Sequence, residues 1–63
     1  MITNIFYDVN NRSIESGKNA IYNGELYIVL EDKENGLILH PVLGNTRGND
    51  ILVADVYKSI QLL

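Results

Sequence analysis

Four chemistry-bearing residues stand close together in the chain: Glu31, Asp32, Glu34 and Asn35, immediately before Gly36. Oxygen donors ahead of a glycine could hold calcium. With Gly36 at the sixth position of a calcium loop, Glu31, Lys33 and Asn35 fall at positions one, three and five and Val42 at twelve. A lysine and a valine cannot serve as ligands, so the pattern fails and a solvated hairpin tip is the expected role. His40 is the single histidine, with no nucleophile motif around it, and reads as a surface or interface residue rather than a base or ligand. Gly17-Lys18 lacks the rest of a phosphate-binding loop, and Asn11-Arg12-Ser13 fits a glycosylation sequon only as a chance tripeptide. Without cysteine there is neither a disulfide framework nor a thiolate zinc site, and one histidine cannot build a metal site alone. The expectation is a protein that is not an enzyme, with no catalytic, cofactor-binding or metal residues and no small-molecule substrate.

The stretch that must organise the rest is Glu25 to Leu43, ELYIVLEDKENGLILHPVL. Two apolar runs with strand character flank a charged link ending in Asn35-Gly36, which is a hairpin signal. A four-residue loop from Lys33 to Gly36 pairs Leu30 with Leu39 and Leu26 with Leu43, and keeps the charges near the tip. That register, like a two-residue turn, puts Leu26, Ile28, Leu30, Leu37, Leu39 and Leu43 on one face and Tyr27, Val29, Glu31, Ile38, His40 and Val42 on the other. An odd-length loop would break this assignment. With the leucine face taken as core, Tyr22, Tyr27, Val29, Ile38, His40 and Val42 form a second surface too apolar to be left in water. The candidates to cover it are the amino-terminal strand, a second copy of the chain or a different protein, and these six residues are the expected protein-binding set.

Around that hairpin, Met1 to Val9 reads as a strand from its β-branched and aromatic residues, and Asn10 to Asn19 as a loop. Ala20 to Tyr22 resumes strand character. Asn23-Gly24 is a type I′ turn pair that sets Ile21 opposite Leu26 and Ala20 opposite Tyr27. Pro41 cannot donate a ladder hydrogen bond, so its strand must be an edge there, or bend. Gly44 to Asn49 is a polar loop, Asp50 to Val56 a strand, and Tyr57 to Leu63 either a helical turn leading to a short last strand or one short helix; the strand ending is preferred.

Five or six short strands in meander, with no confident helix, predict an all-β fold on residues 1–63: a small barrel or a strongly curved antiparallel meander. Gly17, the Ile21 to Gly24 turn, LYIVLE from Leu26, GLILHPVL from Gly36 and the ending in which Asp55 to Lys58 precedes SIQLL resemble the SH3-like small barrels. The resemblance is at the level of fold and carries no family fingerprint. Peptide-binding members of that group line a groove with aromatics that include a tryptophan, and this chain has none. Nucleic-acid-binding members carry a basic loop. Here the formal charge is −3, the excess acid lies on Glu25, Glu31, Asp32 and Glu34, and the five Lys and Arg are scattered, so nucleic-acid binding on an SH3-like or OB-like barrel is the weaker alternative.

At 63 residues the core is small and stability marginal, which makes self-association a natural remedy. No apolar run reaches membrane-spanning length, and the amino terminus lacks a basic region followed by an apolar one. The composition thus leads to the expectation of a soluble cytoplasmic bacterial or phage product, an accessory or regulatory protein whose partner is another protein or a second copy of itself.

Overall fold

A computed structural model describes residues 5–46 and 48–63. It contains one antiparallel sheet: β1 (Asn19–Tyr22), β2 (Glu25–Asp32), β3 (Gly36–Pro41), β4 (Ile51–Leu52) and β5 (Gln61–Leu62), in the order β4-β3-β2-β1-β5. A one-turn helix α1 (Val53–Val56) and a 3₁₀ turn (Tyr57–Ser59) carry the chain from the β4 edge to the opposite edge, where β5 pairs with β1. The all-β reading therefore holds. Among the described residues no helix is long and apolar enough to cross a membrane.

The first hairpin forms as its turn chemistry dictates. Asn23 and Gly24 both take positive φ (53° and 77°), and Ala20 pairs with Tyr27 and Ile21 with Leu26. The second hairpin does not follow the expected register. Val29 pairs with Leu39, Leu30 with Ile38 and Asp32 with Gly36, leaving the odd link Lys33, Glu34 and Asn35. Two local features select it: the Asp32 carboxylate accepts hydrogen bonds from the Asn35 backbone N–H (3.0 Å) and side-chain amide (2.9 Å), and Gly36 takes the left-handed conformation at φ 75°.

One residue of register turns β3 over relative to β2. Tyr27, Val29 and Leu39 face inward with no exposed surface, and Ile28, Leu30, Ile38 and His40 face outward. The leucine face is thus not the core, and the two six-residue faces expected from an even loop are not the real ones. Ile14, Ala20, Val53, Ile60 and Leu62 complete the buried cluster, with Phe6, Tyr22, Leu37 and Tyr57 packed around it. Each fully buried Leu, Ile or Val contributes about 1.5 to 3 kcal/mol relative to exposure. That face needs inward-pointing apolar groups from the segments before and after the sheet, and these segments supply them.

Two further expectations are corrected. Met1 to Asn4 lie outside the described residues, and Ile5 to Val9 is not a strand beyond an isolated bridge between Tyr7 and Ser13. Asp8 bends the chain there instead, its backbone N–H donating to the Arg12 carbonyl and its carbonyl accepting from Asn11, which sits at φ 63°. The expected strand from Asp50 to Val56 is reduced to Ile51–Leu52, because at Val53 the chain turns away from the sheet to cross the core; Val53 is wholly buried. Pro41 behaves as expected. It pairs with Tyr27 on one side, and β4 reaches only Ile38 and Leu39 on the other, so the ladder asks for no Pro41 N–H.

Candidate binding face

With the core on one side of the sheet, the other side is left to face outward. Its rows follow from the pairing: Leu30, Ile38 and Leu52 lie side by side across β2, β3 and β4, and Ile21 and Leu26 across β1 and β2. Ile28 sits between the rows, with Asn19 and His40 as its cross-strand neighbours. Six aliphatic side chains thus make a continuous surface, and Leu26, Leu30 and Leu52 are each 36% exposed. Polar groups stand beside Ile28 as well as at the margins. Gln61 is opposite Ile21, Asp32 caps the hairpin tip, and His40 Nδ1 lies 2.7 Å from Asp50 Oδ1.

The six residues expected to bind a partner do not form one surface. Tyr27 and Val29 are fully buried, Tyr22 is half-buried with its ring 6.2 Å from that of Tyr27, Ile38 and His40 point outward, and Val42 lies beyond the end of β3. The set dissolves because it mixed residues from both sides of the real sheet. Ile21, Leu26, Ile28 and Leu30 were missed as surface for the same reason, and Leu52 because pattern alone left its strand's register open.

On the core side, an open cleft of about 300 Å³ lies between the amino-terminal segment and the hairpin, with Ile5, Ile14 and Leu37 at its apolar part and Glu15 and Glu31 at its polar part. Ser13 and Ser16 also line it, but His40, across the sheet and bound to Asp50, is in no position to act on them. Among the described residues no group of three or more His, Cys, Asp or Glu converges as a metal-ligand set. The Asp32 carboxylate at the hairpin tip is used as a turn cap.

Among the described residues, Asp8 is the charged residue that the fold buries. Its side chain has no exposed surface, and its two oxygens accept from the backbone N–H groups of Asn10 (2.9 Å), Arg12 (2.8 Å) and Leu62 (2.8 Å). Removal from water pushes its pKa up, but the bonds from Arg12, Leu62 and Asn10 and the nearby Arg12 guanidinium outweigh that, and the carboxyl is held below its ordinary value. Arg12 also donates to the Leu62 carbonyl, and the Val9 N–H to the Ile60 carbonyl at 2.9 Å, so the segment before the sheet is fastened to the last strand. This role is structural. The loop composition around Asn10-Asn11 hinted at an Asx turn, whereas nothing local signals a bond to a residue 54 positions away.

Compared with protein-family models, curated proteins and solved structures, this chain matches none.

Proposed function

We propose that this protein is a non-enzymatic accessory or regulatory protein that works by binding another protein molecule through the outer face of its sheet, on an SH3-like framework. The observation that carries the reading is the aliphatic surface of Ile21, Leu26, Ile28, Leu30, Ile38 and Leu52, opposite a core already filled from the other side. A sheet that satisfies its core with one face ordinarily presents polar residues on the other. A contiguous apolar surface in that place is the mark of an interaction site.

The framework is supported by the antiparallel meander of β1 to β4 and by the 3₁₀ turn that precedes β5, which returns beside β1. It departs from the SH3-like pattern at the amino terminus, where the strand before the long loop is reduced, among the described residues, to the Tyr7–Ser13 bridge. Affinity capture from cells that make the protein tests the binding reading, with tagged wild type and tagged Ile28→Asp side by side. The reading expects a protein retained by wild type and lost from the variant; identical captures from both would overturn it.

A further inference from the structure

We infer that Asn23 is a modification site: the folded chain converts this residue without an enzyme, through a cyclic imide, while Asp32 holds the same reaction back at Asn35. Asparagine followed by glycine suits this chemistry because glycine puts no side chain beside the attacking nitrogen. The chain has two such pairs, Asn23-Gly24 and Asn35-Gly36, each in the link of a hairpin. Space does not separate them. A Cβ built at Gly24 or at Gly36 would meet nothing within 4 Å, so solvent has room at both.

What separates them is the hold on the carboxamide. Asn35 donates from its backbone N–H (3.0 Å) and from its side-chain amide (2.9 Å) to the same oxygen, Asp32 Oδ2. Ring closure requires the Asn35 carboxamide to leave that contact, and the attacking anionic nitrogen would form beside the Asp32 carboxylate, where like charge disfavours it. Asn23 is exposed, and among the described residues no hydrogen bond holds its side chain. The carboxylate nearest to it in sequence, Glu25, is turned to Thr46, which donates to Glu25 Oε1 from its backbone N–H (3.2 Å) and its hydroxyl.

The steps balance with water as the co-reactant and no change of oxidation state. Hydroxide takes the Gly24 N–H proton, the nitrogen bonds to Asn23 Cγ, and the Cγ–Nδ2 bond breaks, Nδ2 leaving as ammonia with a proton from water. Water then opens the imide at either carbonyl. Addition at Cγ breaks the new bond and leaves an aspartate; addition at the main-chain carbonyl carbon breaks the original peptide bond and leaves isoaspartate, whose backbone runs through Cβ and Cγ. Either product adds one negative charge to the formal −3.

The fold gives the two products different consequences. Asp-Gly is itself a favoured pair for the turn that Asn23 and Gly24 make at φ 53° and 77°, so the aspartate form keeps it. Isoaspartate adds a backbone carbon to the link whose length sets Tyr22 opposite Glu25 and Ile21 opposite Leu26. In the sheet β5 pairs only with β1, and the Leu62 N–H binds Asp8, so the fault reaches the last strand and the fastening of the amino-terminal segment.

Ageing the whole chain in mildly alkaline buffer, at a temperature where circular dichroism shows it folded, decides, with peptide mapping against synthetic aspartate and isoaspartate standards at each site. Conversion at Asn23 should run at least about tenfold ahead of conversion at Asn35, the factor for breaking one hydrogen bond to a charged acceptor. In urea, with the Asp32 contacts gone, the two sites should react alike, and Asp32→Ala should bring Asn35 up to the pace of Asn23 in the folded chain. The isoaspartate form, separated by chromatography, should unfold at lower urea than wild type, while Asn23→Asp unfolds with wild type. Equal rates in the folded wild type, or an Asn35 that leads, overturn the inference. So does an Asn23 that stays intact in the folded chain and converts only in urea, or an Asn35 that stays slow in folded Asp32→Ala. An isoaspartate form as stable as wild type overturns the effect on the sheet.

Discussion

Replacing Asp8 by alanine should come close to unfolding this protein, although the residue stands outside the sheet. The mutation leaves the Leu62 N–H buried without an acceptor, which costs about 1 to 3 kcal/mol. The Asn10 and Arg12 N–H groups are partly buried and can recover water, so their bonds are worth about 0.5 to 1.5 kcal/mol each. Arg12 is half exposed, and its 3.7 Å approach to the carboxylate adds less than about 1 kcal/mol. The total, about 2 to 7 kcal/mol, is comparable with the ~3 to 5 kcal/mol that a core of this size supplies. Asp8→Asn keeps one oxygen for Asn10 and Arg12 but offers an amide to the Leu62 N–H, and should lose about 1 to 3 kcal/mol. The pH dependence has a definite sign. Because the folded carboxyl titrates below its unfolded value, its contribution is complete above about pH 4 and disappears as the pH falls through the folded pKa. Urea unfolding followed by circular dichroism measures both effects, with the acid-side slope of wild type flattened in Asp8→Asn. An Asp8→Ala protein within about 0.5 kcal/mol of wild type at neutral pH would refute the clamp.

Two other substitutions test the packing. Val29→Asp buries an unpaired charge at a position with no exposed surface and should cost about 4 kcal/mol or more, leaving an unfolded chain, whereas its outward neighbour Ile28→Asp should cost less than about 1.5 kcal/mol. A folded Val29→Asp with an unfolded Ile28→Asp, judged from amide proton spectra, would mean that the leucine face is the core after all. Tyr27 is fully buried and its hydroxyl has no hydrogen-bond partner among the described residues, so Tyr27→Phe should hold or raise the thermal midpoint, by about 1 kcal/mol of stability. A loss of similar size would show that the hydroxyl is bonded.

How far the fold could be read depended on the distance over which each choice is made. Asn23-Gly24 determined its own turn and the register of β1 on β2, because both residues tolerate positive φ and a two-residue link has one parity. Pro41 announced the end of two-sided pairing, since the missing N–H is a property of the residue itself.

The second hairpin lay at the margin. Asp32 followed by Gly36 carried the signal for a three-residue link, but placing the charges at the tip favoured an even one, and a single residue of slip exchanged the faces of β3. Which side of the sheet became the interior was settled by tertiary structure. Val29 and Ile28 are equally suited to burial as residues; what separates them is that Ile14, Val53, Ile60 and Leu62 arrive on the side of Val29. Those four come from before and after the hairpin, so no window of sequence contains the contact. The turn at Val53 is equally non-local, because the helix and 3₁₀ turn that begin there carry the chain across the core to the opposite edge, where β5 pairs with β1. The Asp8 carboxylate meets the Leu62 N–H only after both ends of the chain have been brought to the same edge of the sheet. Short-range chemistry thus determined the turns and the kind of structure, and long-range packing decided the inside and, with it, the surface left for a partner.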